Sequence, residues 1–491
     1  MRLMDKMRNR IRSFLRIENM NDSQITLQNL TDFETSCYRN RVWSWADKEA
    51  IEQLYKQLNQ NSERMSFWAA TPSTGIVKRH TGLPGRMATL LTDIVMTDLN
   101  KISVESEREY EWEEMDKEIN LKEILSDAVK EIMVVGDGAF RISMDTKLRK
   151  YPIVDFVPAE KVEYKVNKGV LQEVIFKELI DYSGNTYMYE EHYGYGCINY
   201  KLYKHDKEVP LDTVPYLRDM QPVTFENKFI MAVPFMAFKS TMYKGRGASI
   251  FSGKSDSFDS LDEIWSQWMD AVRRGRAKEY IPDDFLPRDA STGEIGKRNQ
   301  FDNDFIAIQS PMSEGTTKKI ELIQPQIPHE SYLAAYMTAL DLCLQGVMSP
   351  STLGIDVKKM DNAEAQREKE KATLYTRNKV VQAIQESVPK LVDTIFKVWD
   401  TYNKKSISDT DVTIEFGEYA NPSFESQIET VSKGKSGGIM SCEAAVEELY
   451  GDTKDEEWKK EEVARLKAEQ GIAEMEEPTV NTELGDFKVN V

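Results

Sequence analysis

Phe258, Leu261, Trp265, Trp268 and Val272 fall at alternating three- and four-residue steps. That spacing sets five large apolar side chains on one face of a helix, and such a face must pack against something. A second helix of the same kind lies close by in the sequence. Beyond Pro328, Leu333, Tyr336, Met337, Leu340, Leu344 and Val347 repeat the pattern as far as Ser349-Pro350, where the residue before proline leaves the α region. Between the two, residues 282–328 carry turn signals at Pro287, Gly293, Gly296, Pro311 and Gly315 and strand-like runs at 305–308 and 319–323. The spacing predicts two apolar helices bracketing a compact insert. The first helix is expected to end in Arg273, Arg274, Arg276 and Lys278, which suit the negative end of a helix dipole, with Pro282 closing it.

The rest of the chain changes period more than once. Residues 32–138 read as mostly helical, and 139–238 read as short alternating strands of a small antiparallel sheet, with Gly184-Asn185 as a hairpin turn. Residues 349–362, with Pro350, Gly354 and Lys358-Lys359, read as a loop. A very long helix is predicted next: Asp361-Asn362-Ala363-Glu364 supplies a capping signature, 364–372 is almost wholly polar, and Leu374, Val380, Val381, Ile384 and Val388 resume the apolar period. Pro389 is expected to kink it. A strand over 412–416, a Gly/Ser linker over 433–438, helices over 441–450 and 453–470 and a loose tail complete the chain. The fold class that follows is α+β.

At 491 residues the chain is long enough for several folding units. Its 64 Lys and Arg against 82 Asp and Glu leave a formal charge of −18, so bulk charge repels nucleic acid and a DNA-coating protein is excluded. Cys37, Cys197, Cys343 and Cys442 show no paired spacing, which fits a reduced, cytosolic history. The most apolar stretch, 229–238, is half the ~20 residues a membrane helix needs and contains Pro234. The first residues alternate Arg2, Lys6, Arg8, Arg10, Arg12 and Arg16 with apolar positions, the pattern of a short basic surface helix rather than a secretory signal.

Motifs for chemistry are few. The stretch from Gly247 to Ser255, Gly-Ala-Ser-Ile-Phe-Ser-Gly-Lys-Ser, nearly matches a phosphate-binding P-loop. It places five residues between its glycines where the loop needs four, so it reads as a Gly-rich hinge before a helix. The four histidines, at 80, 192, 205 and 329, form no metal-ligand spacing. Paired acids such as Glu113-Glu114 and Glu190-Glu191 are, in so acidic a chain, solvated faces rather than glycosidase pairs. No enzyme, cofactor or metal is expected. The Glu/Lys/Arg run over 364–371 is a wet helix face laced by pairs such as Arg367-Glu370, or a face lining water or a neighbouring subunit.

The order of these parts is more informative than any one of them: aromatic-seamed helix, punctuated insert, second apolar helix, loop, long helix. With Ser255-Asp256-Ser257-Phe258-Asp259-Ser260-Leu261-Asp262-Glu263 running through Trp265 to Arg276, then Ser349-Pro350-Ser351-Thr352-Leu353-Gly354-Ile355-Asp356, then Ala363-Glu364-Ala365-Gln366-Arg367-Glu368-Lys369-Glu370-Lys371-Ala372-Thr373 and Arg377, the chain resembles the portal proteins of tailed bacteriophages. The likeness is to portals from phages and prophages of Gram-positive bacteria. It is strongest over 245–400 and extends to Gly438-Ile439-Met440-Ser441.

The resemblance implies a portal fold: a wing over 1–255 that turns β-rich from about 139, stem helices over 256–281 and 329–348, and a small α/β clip over 282–328. It further implies a tunnel loop over 349–362, a long kinked helix and return strand of the wing over 363–434, and a crown with a tail over 435–491. It implies a ring of copies, usually twelve, at one capsid vertex, assembled in the host cytoplasm and retained in the virion. Through it double-stranded DNA would pass without sequence specificity. Its partners would be the terminase large subunit, major capsid and scaffolding proteins, and later a head-completion or tail adaptor protein; no membrane is involved. In that setting Lys358 and Lys359 would touch DNA transiently at the constriction. Arg273, Arg274, Arg276 and Lys278 would lie at the stem exit or pair with acids such as Asp283 and Asp284 of a neighbour. Phe258, Leu261, Trp265, Trp268, Val272, Leu340 and Leu344 would pack the stem. Two other readings remain open: a nucleotide-dependent cytosolic enzyme using the turn from Gly247 to Ser255, and a non-channel capsid or baseplate component.

Overall fold

The computed structural model describes residues 32–59, 66–70, 76–205, 207–275, 278–282, 305–308, 321–354, 363–417, 424–450 and 456–469. The chain is α+β and divides into two compact units after Phe416.

In the first unit, helices α1 (Phe33–Ser44), α2 (Lys48–Asn59), α3 (Leu83–Thr97), α4 (Glu109–Ile119) and α5 (Leu121–Val135) build the helical part. In α3, Leu83, Met87, Leu91 and Val95 recur every fourth residue and are buried, and Pro84 sits in the first turn, where its missing N–H has no intrahelical partner to lose. Asn120, at φ 56°, ends α4 and starts α5 in one left-handed step. One strand lies where sequence spacing predicts only helix: β1 (Leu99–Val104) pairs antiparallel with Val412–Phe416. Six residues are too few to establish a period of two, and the partner strand is more than three hundred residues away in the chain, so no local signal exists for it.

Two antiparallel sheets follow as expected. The smaller has β2 (Asp137–Ser143) between β3 (Ile153–Pro158) and β10 (Ala232–Met236). Its inner face gathers Phe140, Phe156 and Phe235, with Phe140 5.1 Å from Phe156 and 5.5 Å from Phe235. The larger orders β4 (Val162–Asn167), β5 (Val170–Tyr182), β6 (Asn185–Gly194), β7 (Cys197–Lys204) and β8 (Lys207–Val209), with β9 (Val223–Thr224) also on β7. The β5–β6 hairpin turns one residue earlier than predicted. Tyr182 pairs with Asn185, and Ser183 and Gly184, at φ 54° and 77°, form the two-residue loop. Both loop residues take positive φ because that hand of turn matches the strand twist.

Helix α6 (Ser255–Arg274) is shorter than its basic tail predicts. It stops at Gly275, where a Cβ would come within 2.5 Å of the Ile327 side chain. Lys278 opens a strand instead: β11 (Lys278–Pro282) runs parallel to β12 (Phe305–Ile308) and antiparallel to β13 (Glu321–Ile323). Helix α7 (His329–Leu344) returns along α6 and ends six residues before Pro350, because Gly346, at φ 74°, lets the chain turn early. A 3₁₀ turn spans Pro350–Leu353. The long helix α8 (Ala363–Tyr402) is 40 residues, about 60 Å, and continues on both sides of Pro389. Its buried Val380, Ile384, Val388, Leu391 and Ile395 carry it across the β2–β10 sheet. β14 (Val412–Phe416) then closes the pair with β1.

The second unit contains α9 (Phe424–Ser436), α10 (Cys442–Tyr450) and α11 (Glu456–Glu469). The stretch read as a linker is the last turn of α9 and its cap: Gly438 has φ 68°, and Ile439 N–H donates to Gly434 O at 3.0 Å. This left-handed glycine cap fixes the helix end one or two residues beyond the lysines. Val431, Cys442, Ala445 and Val446 are buried there.

Candidate channel hairpin and its anchor

The apolar seam of α6 divides into three zones. Phe258 and Leu261 are 2% and 1% exposed and belong to the core, with Phe258 5.6 Å from the Trp43 ring. Further along, Trp265 and Trp268 pack on the returning helix. Trp268 lies parallel to Tyr332 at 6.3 Å, and Trp265 is 5.8 Å from Tyr336. Leu340 and Leu344 of α7 are buried, and Val272, at the far end of α6, is 45% exposed. Trp265 and Trp268 thus contact α7, while Val272 lies further along α6, past the residue that meets Tyr332, the first tyrosine of α7.

The other faces of the two helices differ in chemistry. On α6, Asp256, Ser260, Glu263, Gln267, Asp270 and Arg274 repeat at three- and four-residue steps; Asp256, Ser260, Gln267 and Arg274 are exposed, Glu263 and Asp270 half-buried, and Arg274 is bonded to Asp270 at 2.7 Å. Three acids against one arginine make this face acidic. On α7 the side away from α6 presents Ala334, Ala335, Thr338 and Leu342 to solvent, and the helix's acids are Glu330 and Asp341. A helix apolar on nearly every side, with one side bare, has packing capacity left over.

Residues missed by the sequence reading hold this hairpin to residues 67–81 at their described ends. Asp259, Asp262 and Ser266 run beside the aromatic seam at helical spacing and bind residues 67–68 and 79–81. Asp262 is buried and accepts from Thr81 N–H and Oγ1–H, both at 2.9 Å, and from Trp68 Nε1–H at 3.1 Å, while His80 Nδ1 lies 2.6 Å away. Asp259 accepts from the N–H groups of Phe67 and Trp68 at 2.8 and 3.2 Å. Burial raises the Asp259 carboxyl above the usual range, and those two backbone donors oppose it. Ser266 Oγ accepts from Arg79 N–H at 2.8 Å. Lys78 donates to the carbonyls of Trp68 and Ala70 at 2.7 and 2.6 Å, and its burial lowers its pKa. The signal was present in the sequence as three polar residues keeping pace with the seam, but helical period alone does not distinguish a solvent face from a gripping one.

The start of the predicted tunnel loop is pinned as well. Ser349 Oγ contacts Ser351 Oγ and Thr352 Oγ1 at 2.8 and 2.9 Å, Thr352 reaches Thr373 Oγ1 of α8 at 2.9 Å, and Thr373 Oγ1 accepts from Ser349 N–H. One turn on, Thr376 Oγ1 donates to Val347 O at 2.6 Å, and the buried Arg377 pairs with Asp98. Two stretches quoted separately for the family likeness are thus bonded to each other. Lys358 and Lys359 lie outside the described residues, as do Arg276, Asp283 and Asp284. Arg273 is half-buried near the end of α6, and Lys278 belongs to a different element from the arginines, so the basic cluster is split between a helix and a strand.

Most of the backbone donors described in the turn from Gly247 to Ser255 are engaged internally. Gly247 N–H donates to Asp137 Oδ2 at 2.5 Å, Ala248 N–H to Phe238 O, Ile250 N–H to Met133 O and Phe251 N–H to Ser249 Oγ. Lys254 caps the end of α7 through Gln345 O at 2.8 Å and Leu342 O at 3.3 Å. These groups are occupied rather than turned toward a phosphate. Gly247 is needed for close approach: a Cβ would strike the Gly136 carbonyl and come within 2.8 Å of Asp137 Cβ. Gly247→Ala is expected to cost about 2 kcal/mol or more through this overlap, read as a drop in urea midpoint, because backbone on both sides must yield.

Among the described residues no helix is long and apolar enough to cross a membrane. No family model matches the chain, and no curated protein matches it. Among solved structures, one similar chain comes from the virion of a native gene transfer agent particle, at 12% identity and a TM-score of 0.37, over 83% of this chain and 97% of that one.

Proposed function

We propose that this chain is a phage-type portal protein: copies stand side by side in a ring at one capsid vertex, and double-stranded DNA passes through the bore during packaging, retention and ejection. The observation that carries the reading is the α6–α7 hairpin with its two unlike faces. The bare apolar side of α7 is suited to a neighbouring copy, and the acidic side of α6 is suited to the bore. An acidic wall suits a conduit, because each phosphate neutralised by a bound cation adds counterion-release affinity and would slow a moving duplex. The sequence resemblance adds the order of parts and the placing of the terminase motor and later the tail adaptor at the 282–328 insert. The hydroxyl chain at Ser349 and Thr352 would then hold the base of the tunnel loop firmly against α8.

In this reading the protein has no catalytic residue and takes no cofactor, and its own contacts with DNA are few and short-lived. Lys358 and Lys359 are the proposed contacts at the constriction. Lys358→Glu combined with Lys359→Glu is expected to leave ring assembly unchanged and to lower the DNA packaged per particle. Gel electrophoresis of DNA extracted from nuclease-treated heads checks this. Full-length packaging and normal retention by the double variant would remove these lysines from the mechanism.

A further inference from the structure

We propose that the α6–α7 hairpin joins the next copy of the chain head to tail, a charge-free flank of one copy lying against a methionine-bearing flank of the other. This rests on the ring reading above and names the two surfaces that meet in it. The contacts of Trp268 with Tyr332 and of Trp265 with Tyr336 fix the sides on which the two helices face each other. Each residue advances about 100° around a helix. Because α7 runs back along α6, positions just after the facing residues lie on one flank of the hairpin in both helices, and positions just before them lie on the other.

The flank before the facing residues carries Ile264 and Ala271 of α6 and Ala335 and Leu342 of α7, beside the half-buried rings of Trp268 and Tyr332. Ala335 is exposed, and so is Leu342, at 51%. No Asp, Glu, Lys or Arg falls on this flank along either helix, in a chain of which 30% is charged. An exposed surface kept free of charge across two helices suits the centre of a protein interface, where an unpaired charge would be buried. Through the exposed Thr338 it is continuous with the bare side of α7.

The opposite flank supplies the fit. Asp259, Asp262 and Ser266 lie on it and bind residues 67–68 and 79–81, so its part nearest the start of α6 is already covered. Beyond them come Met269 of α6 and Leu333 and Met337 of α7, the leucine 44% exposed and the methionines half-buried. Thioethers pack favourably against aromatic rings, which matches these methionines to Trp268 and Tyr332 of the next copy. Arg273 and Glu330 stand where α6 stops and α7 starts, at the rim of such a contact rather than its centre. Unlike flanks make a heterologous contact, which repeats in one rotational sense and closes a ring. Two charge-free flanks set back to back would instead form a two-fold dimer and leave Leu333 and Met269 in water.

Cross-linking of the full-length protein tests the pairing. Ala335→Cys and Leu333→Cys place thiols on opposite flanks of α7 at nearly the same height, both at exposed positions, while Cys37, Cys343 and Cys442 are buried. The parent, whose Cys197 is half-buried, is the blank. With a short bifunctional maleimide, the variant carrying both changes is expected to give a ladder of linked chains on a denaturing gel, and each single change to give single chains. Linked dimers from Ala335→Cys alone, as abundant as those of the double variant, would overturn the proposal in favour of back-to-back flanks. Ala271→Glu, which puts a charge on the α6 half of the flank, is expected to abolish large assemblies with an unchanged circular dichroism spectrum; assemblies as abundant as the parent's would also overturn it. Mass photometry of the same samples separates the two readings. Closed assemblies without a ladder would remove the flank pairing and leave the ring, whereas a parent that runs as single chains would remove both.

Discussion

Ala334→Glu combined with Thr338→Glu is expected to leave the protein folded but unable to form large assemblies, so that it elutes as a single chain. Both positions are solvent-exposed on the side of α7 turned away from α6, so the free chain loses nothing by accepting charge there. In the proposed ring that side lies against the next copy, and each contact would bury two unpaired carboxylates. Burying a charge without a partner costs several kcal/mol, and the cost repeats at every interface of the ring. Mass photometry reads the outcome directly. The control is Gln267→Lys on the solvent face of α6, beside Glu263, which is expected to leave assembly intact because that face is assigned to the bore. Assembly that survives the α7 changes, or that fails equally with the α6 change, would contradict the assignment of the two faces.

Asp262→Ala is expected to destabilise the fold by about 3–5 kcal/mol, since it strips a buried acceptor and leaves its donors unpaired. The side chain is 1% exposed and serves the Thr81 amide and hydroxyl, the Trp68 indole and His80 together. Thr81, Trp68 and His80 lose their shared acceptor together, so the cost is that of several stranded groups rather than one lost bond. The effect should be local first. Residues 67–68 and 79–81 are bonded to α6 through Asp259, Asp262 and Ser266, so proteolysis beside them should accelerate before the midpoint in urea is reached. A loss below about 0.5 kcal/mol would show that Asp259 and Ser266 suffice without it.

Much of the architecture was legible from period and punctuation. The seam of Trp265 and Trp268, the strands of the two sheets and the long helix into Tyr402 all carry enough residues of one period to declare themselves. What escaped was set by contacts distant in sequence. Strand β1 exists because β14 lies beside it, and α6 stops at Gly275 because Ile327 occupies the space where a side chain would project. For the same reason Val272 read as part of a buried face: the sequence shows the seam but not where α7 runs out.

The candidate site was readable in its apolar half and hidden in its polar half. Trp265, Trp268, Leu340 and Leu344 are found where their spacing puts them. Asp259, Asp262 and His80 gave no such warning, because a carboxylate that accepts buried N–H groups has the same place in a helical repeat as one that faces water. Ser349 and Thr352 likewise read as ordinary loop residues until Thr373 is placed opposite them. The turn from Gly247 to Ser255 taught the reverse lesson. One residue too many between its glycines was the warning, and the bonds of Gly247 and Lys254 to Asp137 and the α7 end show where that chemistry went.

Electron microscopy of the purified full-length protein tests the central claim most directly. The account predicts closed rings of identical copies around a hole wide enough for duplex DNA, with the α6–α7 hairpins side by side around it. A population of solitary particles without an aperture, at concentrations where the parent is intact and folded, would contradict it.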